Sequence, residues 1–207
     1  MYYGEKFNAI THLVGATLAL IGAIILIVLA SLDGDPWKVV SVTIYGVTLV
    51  LLYSFSTLYH SMQGRAKNIL RELDHHSIYL LIAGSYAPLC LVSLRGPWGW
   101  SLFGVVCGLA VLGVIQEIIF KNGKRILSVV IYVLMGWVAI IGMFQFLHAL
   151  GPAGFAWLVA GGLFYSIGIV FYLLDTRLTH SHGIWHLFVI AGSASHYIVI
   201  LLYVLAH

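Results

Sequence analysis

The sequence predicts an all-α membrane protein: a seven-transmembrane helix bundle with its N-terminus cytoplasmic and its C-terminus outside. Three observations carry this reading. Hydrophobic residues make up 61% of the 207-residue chain and charged residues 8%, with mean hydropathy +1.02, whereas a soluble domain of this size carries roughly 25% charged residues. The apolar residues fall into seven runs, each about as long as the ~20 residues that cross ~30 Å of hydrocarbon. The basic residues lie mainly on one side of those runs, the side that faces the cytoplasm in membrane proteins.

The spans are expected near 8–31, 38–62, 74–94, 98–119, 126–147, 154–174 and 180–206. The first has an apolar run longer than the 7–15-residue core of a cleavable signal peptide. Only Lys6 is positive before it, so it is expected to stay in the mature protein. The second span follows the turn SLDGDPWK, the third follows QGRAKNILREL and the fourth follows RGPWG. The fifth, sixth and seventh follow KNGKR, HALGPAG and DTRLTH. Gly-Pro, Asp-Pro and Asn-Gly pairs mark several of these breaks as turns. No linker or low-complexity tract interrupts the series, so residues 1–207 read as a single domain.

Breaks alternate sides. The N-terminal side then carries Lys6, Arg65, Lys67, Arg71, Lys121, Lys124, Arg125 and Arg177, against Lys38 and Arg95 opposite. Trp37, Trp98, Trp100 and Trp157 fall near span ends, as an aromatic belt does. Gly104 and Gly108 form G-x-x-x-G, a pattern of close helix packing. Cys90 and Cys107 lie in apolar runs and imply no disulfide framework. A net charge of +3 gives no ground for a nucleic-acid partner. The expected location is the plasma membrane, and the expected partners are membrane lipids.

The chemistry concentrates at one depth. His60 falls at the cytoplasmic end of the second span, Asp74 at the start of the third, and His182 and His186 at the start of the seventh. The two histidines of HGIWH are four apart, on one helix face. Ionisable groups inside a membrane are costly and usually functional. Three neutral imidazoles suit zinc, and three protein ligands with an open position are the catalytic pattern. Asp74 is then placed to hold water or act as general base. Ser56, four residues before His60, can hold the water or stabilise an oxyanion.

Each residue alone has a plainer reading. A single histidine at a membrane boundary is an interfacial or packing residue, Ser56 a helix-packing hydroxyl, and Asp74 an N-cap of the third helix. H-x-x-x-H lacks the glutamate of H-E-x-x-H, which excludes the soluble zinc-protease pattern. Among the remaining histidines, His12 is the reserve ligand. His75 and His76 read as interfacial, His180 as loop or cap, and His196 as buried and hydrogen-bonded. His148 and His207 fall on the outer side, and Trp185 faces lipid or a neighbouring helix. Glu117 can pair with Lys121 at i and i+4.

Taken together, EKFNAITH at 5–12, STLYH at 56–60, Asp74 with GSYAP at 84–88, and HGIWH at 182–186 resemble the bacterial hemolysin III proteins. These belong to the progestin and adipoQ receptor (PAQR) family. The resemblance covers nearly the whole chain. It implies seven transmembrane helices with the N-terminus inside, and zinc near the cytoplasmic face on His60, His182 and His186. It also implies Asp74 and Ser56 beside the zinc-bound water. A relation to alkaline ceramidases implies hydrolysis of a lipid amide or similar bond. The chain has no soluble N-terminal extension and scarcely any outer loop, so adiponectin-type ligand binding is not expected.

The function expected on these grounds is that of a zinc-dependent lipid amide hydrolase in membrane lipid homeostasis. The alternatives are a non-enzymatic regulator or sensor of membrane state, and the cytolytic activity that the family name implies. A chain this apolar, without polar residues lining a path through all depths, argues against a secreted pore former.

Overall fold

A computed structural model describes residues 4–120 and 125–206. These residues are helical almost throughout: α1 (Lys6–Asp33), α2 (Pro36–Ser61), α3 (Gly64–Pro88), α4 (Pro97–Ile119), α5 (Arg125–Trp137), α6 (Met143–Leu173) and α7 (Ser181–Val199). One π-helical turn extends α3 through Leu89–Ser93, and another extends α7 through Ile200–Val204. Six helices are long and apolar enough to cross a membrane, and Ile126–Ile140 is a shorter apolar stretch.

Local chemistry sets the first connections. α1 stops at Gly34, whose left-handed φ of 82° lets its N–H reach the Ala30 carbonyl at 3.2 Å. α2 starts at once, with Asp35 accepting from the Trp37 N–H at 2.8 Å and Pro36 at the first helical position.

α3 begins at Gly64, ten residues before the expected start of its span. The stretch RAKNILREL, read as a break, is instead its polar first turns, built from strong helix formers. Hydropathy locates the hydrocarbon-crossing part and is blind to a helix that starts outside it. Asp74 therefore lies inside α3, and its reading as an N-cap does not hold.

The expected break HALGPAG coincides with a kink in α6, and a further, unexpected break lies upstream of it. α5 ends at Trp137, a 3₁₀ turn covers Val138–Ile140, and helix resumes at Met143. Within α6, Gly151 has φ 67° and ψ 171° and is followed by Pro152, so two helical arms meet there. Residues on either side face each other: Trp137 Nε1 donates to Ser166 Oγ at 3.0 Å. The arm 152–173 runs antiparallel to α7. Gly154 meets Tyr203, Gly161 meets His196, and Gly168 meets Trp185 and Phe188.

Two apolar clusters fill the bundle. One joins α1, α2 and α7 through Leu26, Val42, Leu49, Tyr53 and Val189. The other joins α3, α4, α5 and α6 through Tyr86, Val106, Met135, Phe146 and Leu158. Outward faces stay apolar, as on α1 with Leu18, Ile21, Ile24 and Val28, which is the surface a helix presents to lipid. A Cβ at Gly104 or Gly108 would meet nothing within 4 Å, so G-x-x-x-G is not a close packing contact among the described residues.

The two basic residues expected outside are both paired. Lys38 is buried, 3.0 Å from Asp33 and 3.1 Å from the Leu205 carbonyl. Arg95 lies 3.4 Å from Asp35 and 4.8 Å over the Trp37 ring. The side chains of Lys121, Lys124, Arg125 and His207 lie outside the described residues, and with them the Glu117–Lys121 pair.

A Cβ at Gly161 would collide with the His196 ring. Gly161→Leu should cost about 1–3 kcal/mol or more by overpacking and lower the unfolding midpoint in detergent. Gly104→Leu, on an open face, should leave that midpoint unchanged.

Candidate metal centre

His60 is the penultimate residue of α2. His182 and His186 occupy the first two turns of α7, one turn apart on one face. The packing of α1 against both helices brings the three together. Their candidate ligand atoms all lie within 4.8 Å of one another, with His60 and His186 buried and His182 partly exposed. Ring centroids are 5.0 Å apart for His60–His182, 5.1 Å for His60–His186 and 4.7 Å for His182–His186. The cluster can hold a metal ion.

Each imidazole has its Nδ1 at an oxygen on the outside of the cluster. His60 Nδ1 lies 2.7 Å from Glu5 Oε2, and His182 Nδ1 lies 3.3 Å from Asp175 Oδ2. His186 Nδ1 lies 3.1 Å from the Asn8 carbonyl, with Thr11 Oγ1 at 3.2 Å. Metal-binding histidines are oriented in this way: one ring nitrogen donates to an acceptor, leaving the other as the lone-pair donor to the ion. His60 Nε2 is buried and has no hydrogen-bond partner among the described residues. A buried polar atom without a partner is costly, and an ion among the three rings removes that cost.

Glu5 is itself held. Lys67 Nζ donates to Oε1 at 2.9 Å, and Asn8 Nδ2 donates to Oε2 at 2.9 Å. Partial burial pushes its carboxyl up, but the bonds from Lys67, Asn8 and His60 outweigh that and hold it down at about 2.

The remaining predicted groups stand beside the cluster. The Ser56 side chain hydrogen-bonds to the Asp74 carboxyl. Both line a cavity of about 900 Å³ together with His12, His182 and His186. His12 is 3% exposed and stacks on His186, with centroids 3.5 Å apart and planes 17° apart. Coordination needs the ion in the plane of each ring. Near-parallel rings at that separation cannot both aim a lone pair at one ion, so His12 is not a fourth ligand in this arrangement. Both of its nitrogens are buried without a partner among the described residues.

Other histidines have separate places. His76 Nε2 is 3.6 Å from Glu117 Oε2, and the His75 carbonyl accepts from Tyr132 at 3.3 Å. His180 holds the N-cap position of α7 at φ 64° without capping it through its side chain. His196 is buried, its Nε2 3.3 Å from the Leu158 carbonyl. Trp185 packs on α6 at Tyr172.

Sequence reasoning missed Glu5, Asn8 and Asp175. The signal for the first two was EKFNAITH, a polar segment ahead of a long apolar run. Its residues orient ligands and do not bind the ion themselves, so a pattern of ligand types does not reach them. Asp175 lay in DTRLTH, read only as a break.

Comparison with known proteins places the chain in a family. The family model described as Haemolysin-III related matches residues 2–197. The chain is 45% identical to the "Hemolysin-3" of Bacillus cereus over 202 residues, covering 97% of this chain and 92% of the relative. It is 41% identical to the "Hemolysin-3 homolog" of Bacillus subtilis (strain 168), covering 96% and 93%. The human "Monocyte to macrophage differentiation factor" is 29% identical over 205 residues, covering 96% and 83%. The fold and the histidine cluster thus define a multi-pass helical membrane protein with a candidate metal centre. The chain belongs to the haemolysin-III-related family, which the human relative joins to the PAQR proteins.

Glu5→Gln removes the charge that fixes the His60 ring but leaves the histidines in place. It should weaken metal binding by about 10–100-fold, measured by titration against a competing chelator, while the helical circular-dichroism signal stays at the wild-type level.

Proposed function

We propose that the chain is a zinc-dependent hydrolase of a membrane lipid amide, acting in lipid homeostasis at the plasma membrane. The observation that carries this reading is the cluster of His60, His182 and His186, two of which, His182 and His186, share one cavity with the Ser56–Asp74 pair. His60, His182 and His186 hold the ion. When bound, zinc supplies Lewis acidity, polarising a carbonyl and making water nucleophilic at neutral pH.

The other residues position and move protons. Asp74 is the general base, accepting a proton within the cavity. Ser56 hydrogen-bonds to that carboxyl and fixes its orientation. Leu52, Ile78 and Val189 give the same cavity an apolar wall for a lipid chain. Glu5, Asp175 and the Asn8 carbonyl keep the imidazoles oriented and are positioning groups.

In this reading the chain crosses the membrane seven times with its N-terminus in the cytoplasm. Support comes from the break at Gly151 and from the contact between Trp137 and Ser166 on either side of it, which fit α5 and the first arm of α6 as one interrupted crossing and the second arm as the next. The eight-to-two bias of basic residues in the sequence supports the orientation.

A lytic reading draws on the printed name of the Bacillus cereus relative, "Hemolysin-3". It predicts leakage from liposomes that receive purified protein at low dose, with no lipid turnover.

Metal analysis comes first. Wild-type protein purified without added metal should contain about one zinc per chain, and His186→Ala should lose it. Asp74→Asn should keep the zinc and lose at least about 100-fold in lipid-amide turnover, the scale of general-base catalysis. Metal-free, well-folded wild type would remove the hydrolase reading. Wild-type turnover in Asp74→Asn would remove the base.

A further inference from the structure

The cavity that borders the histidines has a second polar wall, where α3, α4 and α5 meet. Glu117 stands on it beside Gln116, Ser128 and His76. Its side chain is 13% exposed, and all its contacts among the described residues are long. Tyr132 Oη donates to Oε1 at 3.2 Å, Tyr79 Oη donates to the same atom at 3.4 Å, and His76 Nε2 is 3.6 Å from Oε2. O–H···O⁻ bonds ordinarily close to about 2.5–2.7 Å. The Tyr132 hydroxyl has one proton and divides it with the His75 carbonyl at 3.3 Å.

No lysine or arginine among the described residues forms an ion pair with Glu117. Glu5 in the same molecule shows the contrast, with three short bonds, one of them from a lysine. A carboxylate has about four acceptor sites, and a buried one seeks a cation. The free capacity of Glu117 adjoins the cavity, whose other walls include Leu52, Ile78 and Val189.

We infer that this wall is a binding site for a protonated amine: Glu117 is the counter-ion of the ammonium head of an amphiphile whose chain lies against the apolar wall. The site goes beyond the hydrolytic reading and needs no metal. Tyr79 and Tyr132 hold the carboxylate in place, and Gln116 and Ser128 offer the head further polar contacts.

The test uses purified full-length protein in phosphatidylcholine nanodiscs, with the unfolding midpoint as readout, because a ligand of the folded state raises it. Dodecylamine should raise the wild-type midpoint and 1-dodecanol should not. In Glu117→Gln the concentration of dodecylamine needed for the same shift should rise at least tenfold. Chelator treatment should leave the wild-type response intact. Equal shifts with amine and alcohol in wild type would overturn the site, a comparison that holds even where the variant does not fold. An unchanged amine response in Glu117→Gln, or its loss on chelation, would also overturn it. Discs with added phosphatidylethanolamine separate the sources. A shift there assigns the amine to a membrane lipid headgroup, and a shift with dodecylamine alone assigns it to a free single-chain amine.

Discussion

The Glu5 carboxylate is the contact on which the arrangement of this protein depends. It occupies the N-cap position of α1 but makes no capping bond to its own helix. Its oxygens go instead to His60 on α2 and Lys67 on α3, at 2.7 and 2.9 Å. Desolvating a charge is expensive unless it is paired and hydrogen-bonded, so those bonds fix where α1 begins relative to both neighbours. One turn on, the Asn8 carbonyl reaches His186 at 3.1 Å. A stretch of four residues thus orients two of the three clustered histidines, and any change in how α1 enters the membrane changes the metal site.

The ligand cluster was legible because its signal is local and redundant. HGIWH is a helical i, i+4 pair, and charge bias placed His60 at the same depth. The neighbourhood of α2 and α7 was not in the sequence. It follows from small residues that let α1 lie between them, such as Gly15 against Tyr53 and Gly22 against Tyr197. The start of α3 was not legible, since hydropathy is silent on a polar amphipathic extension. The break at Gly151 was legible in the Gly-Pro of HALGPAG, whereas the end of α5 at Trp137 and the break at Gly142 fall within an apolar run that hydropathy reads as continuous. His12 looked like a ligand because its depth is right. Ring orientation, which no spacing rule supplies, sets it apart.

Energetics explains why polar groups sit where they do. In lipid, a hydroxyl or imidazole has no water to fall back on, so it is paired or it is costly. Deep in the bundle several groups are paired, although the Ser41 hydroxyl and His196 Nδ1 are buried without a partner among the described residues. Tyr53 and Tyr165 meet the Ser193 hydroxyl at 2.9 and 2.8 Å, knitting α2, α6 and α7. Such bonds contribute modestly each, but they hold the helices that carry His60 and His186 in register.

The two ends of the molecule differ in how far this pairing goes. At the end that carries Lys38 and Arg95, each is matched by an aspartate, and Lys38 also caps the carbonyl that the π turn of α7 leaves at Leu205. At the other end His60 Nε2 and both nitrogens of His12 are buried without partners among the described residues, and Glu117 has only long contacts. Each unpartnered imidazole nitrogen costs about 1–3 kcal/mol, a cost that selection for stability alone does not explain. His12 and Glu117 line the same cavity, and His60 belongs to the histidine cluster at its border. An ion held among the histidines, and the ammonium head we infer against the facing wall, would supply partners from outside the chain.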